Sequence, residues 1–340
     1  MTAGSGNQPR EHWLDSARGF AMLCVMLGHA VERMTTALSL PMAGWLWNLR
    51  TFVYSFHVPL FFAVAGWLYA ARGAEETPGR YIRKRTLGLL VPYLFFSLVV
   101  WAGKVLFPDY VNVQTTPDDL LSVFTAPFTY LWFIYVLYLI SVAVRLLERA
   151  VKRRPLLLIC ALAAGVLSCV FPTPVDALNK VLLYLPVYLL GAVLHDADDR
   201  FRRTAGAVCA VLFAASLPFY WKAPAYSAWW LVAGFTSAAA LLWVFRSFEK
   251  GRCRPLRVPG RSTLYIYILH PVIMNAVRMM LMRLHVASRP VWIASLLVVS
   301  LFLSMLYAAC AVRYPLLALP FEPERALRHR GTRRHSARNP

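Results

Sequence analysis

Charged residues are scarce in this chain, and acidic residues are the scarcest of them. Only 15% of the 340 residues are Asp, Glu, Lys or Arg, whereas 59% are hydrophobic and the mean hydropathy is +0.53. A soluble globular domain has about 25% charged residues and about 45–50% apolar residues. The composition therefore excludes an ordinary soluble protein and indicates an integral membrane protein.

Other signatures are also missing. No apolar run ending in a small-residue cleavage site accompanies the polar residues 1–12, so we expect no cleaved signal peptide. Neither a tandem repeat nor a separate soluble domain is visible. The six cysteines show no C-x-x-C pattern and no zinc-ligand spacing, so we expect neither a disulfide nor a bound metal.

Long apolar segments, in contrast, are abundant. A transmembrane helix needs about 20 predominantly apolar residues, and ten segments approach or exceed that length. They are residues 13–32, 51–71, 87–107, 130–147, 155–172, 181–194, 205–221, 228–245, 262–284 and 290–312. The sequence thus predicts an all-α, polytopic membrane protein of about ten transmembrane helices, with a transmembrane domain at 13–313 between a short segment 1–12 and a basic tail 314–340.

The basic residues predict the orientation. A net charge of +20 is compatible with nucleic-acid binding, but these residues stand in short clusters between apolar segments, which favours a role in topology. With ten spans both termini share one side, and 28 of the 36 Lys and Arg residues fall on that side. By the positive-inside rule we predict that both termini and the loop 72–85 are cytoplasmic and that the loop 108–129 is external.

The first apolar segment carries polar residues at spacings that suit chemistry. Arg18 and His29 are 11 residues apart, which on a helix places them on one face about 16 Å apart along the axis. Such groups in a membrane usually face a protein interior or a water-filled cavity; the alternative is an interfacial Arg and a structural His. Glu32 is near enough to interact with His29, or else it pairs with Arg33 or solvent. Asp15 and Arg18 have the same three-residue spacing, and we expect a simple pair.

Two further histidines lie in later segments. His57 is predicted in the outer half of the second segment, at a depth comparable with that of His29, and His270 lies in the ninth. A lone membrane His is more often a structural hydrogen-bonding group, but three on different helices favour a shared polar pocket.

A basic cluster stands at the cytoplasmic mouth of the third segment. It contains Arg80, Arg83, Lys84 and Arg85. Arg binds phosphate in bidentate fashion, so the cluster suits an anionic ligand such as the phosphates of coenzyme A. The alternative is that the cluster serves topology alone.

Several landmarks follow one another in a characteristic order. They are Trp13-Leu-Asp-x-x-Arg-Gly continuing to Gly28-His29, Phe56-His57-Val-Pro-Leu-Phe-Phe, Arg83-Lys-Arg, Leu131-Trp132-Phe133 and Ser262-Thr-Leu-x-Ile-Tyr-x-x-His270. Together they resemble the acyltransferase-3 family of membrane acyltransferases, which includes fucose 4-O-acetylase-like members and bacterial O-acetyltransferases of surface polysaccharides. The resemblance extends from about Trp13 to Arg313. Two positions depart from it, because Ala65 stands where Ser is frequent and Gly88 where Arg is frequent.

The resemblance implies acyl transfer from a cytoplasmic acyl-coenzyme A, usually acetyl-CoA, to a hydroxyl of a sugar or lipid-linked glycan. It also implies a multi-pass protein of the bacterial cytoplasmic (inner) membrane, with the bilayer as a partner and no nucleic acid. Arg18 and His29 match the functional pair of the family. The resulting assignment is catalytic His29, Arg18 and Glu32; donor-binding Arg80, Arg83 and Arg85; and an acceptor pocket of His57, Trp132 and His270.

The mechanism and the reaction class leave alternatives open. An imidazole titrates near neutral pH, so His29 suits a general base on the acceptor hydroxyl, and a transient acyl-His is the other possibility. The transferred group can be succinyl or another acyl group. A transporter or flippase of a lipid-linked glycan would also need polar groups in helices, but the internal repeats common in transporters are not evident.

Overall fold

The structure is a computed structural model that describes residues 11–106, 115–248 and 253–324. These residues form helices and connecting loops, with no strand in the described ranges. Fifteen α-helices follow in chain order: α1 His12–Ala37, α2 Gly44–Tyr54, α3 His57–Leu68, α4 Pro78–Arg85, α5 Val91–Leu106, α6 Pro117–Leu121, α7 Trp132–Ala150, α8 Arg154–Val170, α9 Asp176–Asp196, α10 Asp199–Lys222, α11 Ala228–Ser247, α12 Arg257–Arg261, α13 Thr263–Arg283, α14 Arg289–Arg313 and α15 Pro315–Ala318. The all-α prediction is confirmed.

Helices occupy all ten predicted membrane segments. Eight helical stretches of the described chain are long and apolar enough to cross a membrane; they include α9 to α11, α13 and α14. The short sixth segment, predicted at 181–194, is a full 21-residue helix, α9. Two of the ten predicted spans are not among the eight: α8 has only 17 residues, and α1 carries four charged side chains over its 26 residues.

The second predicted span, 51–71, has different bounds in the structure. The chain is already helical from Gly44, and α2 ends at Tyr54, before a two-residue break at Ser55 and Phe56. α3 then starts at His57 and continues into a π-helical turn at Tyr69–Gly73. His57 is therefore the first residue of a helix rather than an interior one, which hydropathy alone does not reveal.

Apolar side chains cover much of the outer surface. Leu98 on α5, Ile159 on α8, Val211 on α10 and Phe302 on α14 are all exposed. A helix that is apolar on its outward face as well as its inward face is typical of a membrane span. These faces are the surface that lipid would cover.

Glycines set how closely the central helices approach. A Cβ on Gly66 of α3 would lie 1.8 Å from the Tyr188 carbonyl oxygen of α9, and one on Gly191 would lie 1.9 Å from the Ala63 carbonyl oxygen. α1 and α12 touch in the same way, since a Cβ on Gly260 would lie 1.7 Å from the Asp15 carbonyl oxygen. Small residues at such crossings allow the backbone contacts that hold membrane helices together.

Polar residues at the helix ends form two separate groups. At one end Glu11 accepts a hydrogen bond from the Trp67 indole (2.8 Å) and lies 3.9 Å from Arg246. There Arg154 also bridges Glu148 and Asp196, at 2.8 and 2.5 Å. We call this group, with Arg202 of α10, the basic end: Glu11, Trp67, Glu148, Arg154, Asp196, Arg202 and Arg246.

The opposite group, the histidine end, comprises His29, Glu32, Tyr54, His57 and His270. Residues from several of the basic clusters predicted on one side of the membrane thus meet at the basic end within the described chain. Which end faces the cytoplasm stays a prediction.

The chain after α14 folds back onto the bundle as far as it is described. Phe321 is fully buried, and its ring stacks on Tyr265 at 4.6 Å and contacts Phe96 at 4.7 Å. The predicted domain limits at 12 and 313 stay predictions. Residues 1–10, most of the basic tail (325–340) and Asp109 of the predicted external loop lie outside the described residues.

Candidate active site

α1 presents His29 and Glu32 near its C-terminal end, one helical turn apart. His29 Nδ1 lies 3.8 Å from Glu32 Oε2, with the His29 side chain 24% exposed and the Glu32 side chain 42% exposed. The distance is too long for a hydrogen bond but short enough for electrostatic interaction. The predicted proximity of the two side chains is therefore present, and the imidazole is accessible.

Two residues of α2 hold the Glu32 carboxylate. The Tyr54 hydroxyl donates to Glu32 Oε2 at 3.2 Å, and an Arg50 guanidinium nitrogen lies 3.7 Å from the same oxygen. The Arg50 guanidinium also stacks over the Tyr54 ring, 4.0 Å from its centroid. Arg33, the alternative partner, turns to α13 instead, where its Nε donates to the Asn275 amide oxygen at 3.1 Å.

His270 on α13 approaches His29 from the other side. It is fully buried, and its ring centroid is 5.4 Å from that of His29. Its Nδ1 lies 2.7 Å from the Ile266 carbonyl oxygen, which selects the tautomer protonated at Nδ1. Nε2 is then an acceptor, and no hydrogen-bond partner for it occurs among the described residues. A buried polar atom without a partner is costly, so this lone pair is a candidate contact for a substrate hydroxyl.

His57 joins the same group through Tyr54. The His57 and Tyr54 rings meet edge to face at 4.8 Å, and Tyr54 in turn is 6.3 Å from His29. His57 Nδ1 lies 2.6 Å from the Val53 carbonyl oxygen, one turn back across the α2–α3 break. The structure therefore brings all three predicted histidines to one end of the bundle, with Tyr54 between His29 and His57.

Tyr54 fits against α1 because residue 28 has no side chain. A Cβ on Gly28 would lie 2.3 Å from Tyr54 Cε2. The Gly28-His29 dipeptide is part of the sequence landmark, and this packing gives its physical reason. Sequence reasoning missed Tyr54 and Arg50 themselves, since nothing in the local pattern links them to Glu32.

Two tyrosines attach the turn that precedes α7 to α13 beside His270. The Tyr130 hydroxyl donates to the Ile268 carbonyl at 2.9 Å, and the Tyr267 hydroxyl donates to the Tyr130 carbonyl. Their ring centroids lie 6.4 and 6.5 Å from His270. Pro271 inside α13 removes one backbone N–H from this region, and sequence reasoning did not identify either tyrosine as part of the group.

Trp132, the third residue of the predicted acceptor pocket, lies in a different neighbourhood. Its ring stacks on Tyr184 with centroids 5.7 Å apart, and Lys180 Nζ sits 5.5 Å from its centroid. Its connection to the histidines in the described chain runs through Phe133 and Tyr267, whose rings are 5.6 Å apart. Trp132 is thus a neighbour of the histidine end rather than a contact of His29.

Arg18 lies toward the opposite end of α1 from His29. It forms an ion pair with Asp15, as its spacing predicted, and the other Asp15 oxygen lies 3.4 Å from Arg261 Nε. Arg18 Nε is buried and has no hydrogen-bond partner in the described structure. The predicted functional pair therefore spans the helix, with one member near each end.

The predicted donor-binding arginines differ among themselves. Arg80 and Arg83 are exposed on α4, whereas Arg85 turns inward and donates from Nε to the Tyr81 hydroxyl at 3.0 Å. Tyr81 is buried and its hydroxyl lies 3.4 Å from that of Tyr188. All three arginines belong to the side of the basic end, and Arg85 is tied into the bundle by this contact.

The histidine end can support proton transfer to or from a hydroxyl. The Glu32 carboxylate beside Nδ1 of His29 favours a proton on that nitrogen and leaves Nε2 free to accept one. His57 and His270, with Nδ1 engaged by main-chain carbonyls, offer two further acceptor nitrogens. An accessible imidazole flanked by fixed acceptors is suited to a general base acting on an alcohol.

Comparisons with known proteins point in the same direction. A family model described as an acyltransferase domain matches residues 11–309. Nodulation protein NolL of Mesorhizobium japonicum is 26% identical over 190 residues, which cover 55% of this chain and 48% of that protein. Nodulation protein NolL of Sinorhizobium fredii is 26% identical over 145 residues, covering 41% and 37%. The matched part of the chain thus spans about half, or less, of these relatives, and no solved structure matches.

Proposed function

We propose an acetyl-transfer reaction for this chain, which belongs to the acyltransferase-3 family of membrane acyltransferases. The donor is acetyl-CoA, and the acceptor is a hydroxyl of a sugar or of a lipid-linked or surface glycan. The observation that carries the proposal is the accessible His29 ring, flanked by Glu32 and by the unpartnered Nε2 of the buried His270.

In the proposed step His29 Nε2 takes the proton of the acceptor hydroxyl. The acceptor oxygen forms a bond to the thioester carbonyl carbon, and the bond from that carbon to sulfur breaks. The proton held on His29 then goes to the departing thiolate, so that free coenzyme A and an O-acetyl ester are formed. A positioned base of this kind contributes about 10²- to 10⁴-fold to the rate.

The surrounding residues orient the two reactants. Tyr54 and Arg50 position the Glu32 carboxylate, whose charge favours the useful tautomer of His29. His270 and His57 accept hydrogen bonds from acceptor hydroxyls, and Trp132 lies farther along the acceptor path. Arg18, Arg80, Arg83 and Arg85 bind the phosphates of the donor at the other side.

This arrangement requires the basic end to face the cytoplasm, where acyl-coenzyme A is made. The excess of Lys and Arg on that side supports the orientation, and the bacterial cytoplasmic membrane is the proposed location. Labelling of a single cysteine at the exposed Asp118, in a cysteine-free background, should occur from outside the cell. Labelling from the cytoplasm alone would contradict the orientation.

The direct test uses purified protein in liposomes with a glycan extract from cells that lack it. We expect release of coenzyme A that depends on the glycan, and a mass increase of one acetyl group on the product. Parallel reactions with succinyl-CoA decide the transferred group. Translocation of a labelled lipid-linked glycan with no thioester cleavage would instead establish a transporter and overturn the proposal.

A further inference from the structure

The basic end contains a cleft that the proposed chemistry does not use. It has a volume of about 440 Å³ and opens where α3, α9, α10 and α11 meet. This volume is within the range of ligand-binding pockets, about 300–1,000 Å³. The lining residues that matter here are Trp67, Asp199, Arg202, Arg203, Trp243 and Arg246.

The charges in the lining do not balance. Three guanidinium groups face one carboxylate. Arg202 makes the shortest ion pair with it, since its Nη2 lies 2.5 Å from Asp199 Oδ1. Arg246 lies 3.5 Å from Asp199 and 3.9 Å from Glu11, both beyond hydrogen-bond distance. Arg203 is exposed and makes no hydrogen bond or ion pair within the described residues. Arg203 and Arg246 therefore keep donors that an anionic ligand would satisfy.

Aromatic rings support and border these arginines. Trp67 is buried behind them, with Arg246 and Arg202 5.3 and 5.9 Å from its ring centroid. Trp243 is half-buried in the lining. It can pack there because residue 206 is a glycine: a Cβ on Gly206 would lie only 2.3 Å from the Cβ of Trp243. An indole beside arginines offers both a stacking surface for a nucleobase and donors for its phosphates.

We propose that this cleft binds the 3′-phosphoadenosine end of coenzyme A. The inference rests on the proposed function, in which coenzyme A carries the acyl group. Arg203 and Arg246 hold the 3′-phosphate, Trp243 stacks on the adenine, and Arg18, Arg83 and Arg85 stay available to the rest of the donor. A phospholipid headgroup shares the phosphate chemistry, but it has no base for Trp243.

The test compares coenzyme A with dephospho-coenzyme A, which lacks only the 3′-phosphate. Calorimetric titration of the full chain in nanodiscs should give a dissociation constant roughly tenfold lower for coenzyme A, the value of one charge-assisted phosphate contact. Arg203→Gln and Arg246→Gln should each bring the ratio close to one. Arg200→Gln is the matched control, since Arg200 is exposed on the same helical turn and outside the cleft, and it should keep the wild-type ratio.

A second variant of the same cleft is expected to strengthen coenzyme A binding rather than weaken it. Asp199→Asn removes the carboxylate that competes with the ligand, so it should tighten coenzyme A binding by about threefold or more while binding of S-acetylpantetheine stays unchanged. The helix itself keeps its cap, because the Asp198 side chain accepts the hydrogen bond from the Phe201 amide at 2.7 Å. A folded protein with an altered pocket charge is thus expected.

The outcomes separate this inference from the proposed function. If wild type binds coenzyme A and both arginine variants keep the tenfold ratio, the cleft is not the nucleotide site and the inference is overturned, with acetyl transfer unaffected. The inference is also overturned if Arg203→Gln leaves the coenzyme A ratio unchanged and alters only the retention of an anionic phospholipid by the chain, which would assign the cleft to a headgroup. Loss of the ratio in a protein that fails to transfer acetyl groups would support the cleft and contradict the proposed reaction alone. No binding of coenzyme A by wild type would overturn both.

Discussion

At the histidine end, groups from α1, α2, α3 and α13 meet within ring-contact distance, and the buried Nε2 of His270 is left without a hydrogen-bond partner among the described residues. At the basic end, the charged groups are spread over many helix termini, and several of them neutralise each other: Arg154 with Glu148 and Asp196, and Arg202 with Asp199. The first arrangement is a convergent group in a largely apolar bundle. The second is a charged surface with an open cleft.

This difference between the two ends indicates which end suits chemistry and which end suits binding. A polar group inside an apolar bundle is costly to keep, so a cluster of them indicates a function that offsets the cost. Arginines at helix termini have an adequate explanation in membrane topology. For that reason we propose the reaction at the histidine end, and donor binding rather than chemistry at the basic end.

The largest expected effect disrupts both ends at once. Gly66→Leu forces a side chain into the Tyr188 carbonyl on α9, and α3 carries His57 at one end and Trp67 near the other. Such overpacking costs about 1–3 kcal/mol or more, and here the obstacle is backbone. We expect loss of monodisperse protein in size-exclusion chromatography. Gly103→Leu on α5, where nothing lies within 4 Å, should behave as wild type, and equal yields from both variants would contradict the α3–α9 contact.

The next effect is confined to the histidine end. His270→Phe keeps a ring of similar size but removes the Nε2 acceptor, so acetyl transfer should fall about 10- to 100-fold, which corresponds to the loss of about 1.4–2.7 kcal/mol of hydrogen bonding to the transition state. Donor binding should not change. His285→Asn is the control, because His285 is an exposed imidazole with a positive φ that Asn tolerates. Transfer at the wild-type rate in His270→Phe would remove His270 from the site.

An effect of comparable size is expected at the basic end, where it falls on donor binding rather than on rate. Arg85→Ala should weaken acetyl-CoA binding by about 1.5–3 kcal/mol, the value of a charge-assisted contact. Arg83→Ala should weaken it less, because Arg83 is exposed to screening solvent. Arg85→Lys should restore only part of the acetyl-CoA affinity, since an ammonium lacks the planar fork of a guanidinium.

Titration calorimetry of these variants, with the exposed Arg72→Ala as control, measures the difference. Unchanged affinity in both Arg83→Ala and Arg85→Ala would mean that these arginines serve topology alone.

The smallest expected effect tests how Glu32 is held beside His29. Tyr54→Phe removes the hydroxyl that donates to Glu32 at 3.2 Å, and the loss of about 1 kcal/mol for this long hydrogen bond predicts a roughly fivefold slower transfer. Tyr307→Phe loses a comparable bond, to the Leu317 carbonyl at 3.1 Å, but away from the histidine end. Tyr307→Phe should leave the rate of acetyl transfer unchanged. Equal rates for the two variants would show that Glu32 needs no help from α2.

The predictable part of the molecule is the part set by local pattern. Hydropathy identified helical segments because each span satisfies its backbone hydrogen bonds internally, and helical periodicity placed Glu32 beside His29 and Asp15 beside Arg18. Clustering of His57 with His29 was also foreseen from their comparable depth, and His270 was grouped with them because three membrane histidines favour one polar pocket.

What could not be predicted depends on contacts between segments. The approach of Tyr54 and Arg50 to Glu32 depends on the α2–α3 break, and the inward turn of Arg85 beside the exposed Arg83 depends on packing against Tyr81. Trp132 faces Lys180 and Tyr184 rather than His29 for the same kind of reason. The cleft at the basic end joins residues more than 100 positions apart, and no local spacing predicts it.

The central claim is that His29 performs chemistry while the other end binds the donor. The most direct measurement is acetyl transfer by His29→Ala and His29→Gln in liposomes, with coenzyme A binding of the same preparations followed by calorimetry. We expect transfer to be reduced by about 10²- to 10⁴-fold, with donor affinity within about twofold of wild type. Near-wild-type turnover in either variant, or a loss of donor binding equal to the loss of transfer, would contradict it.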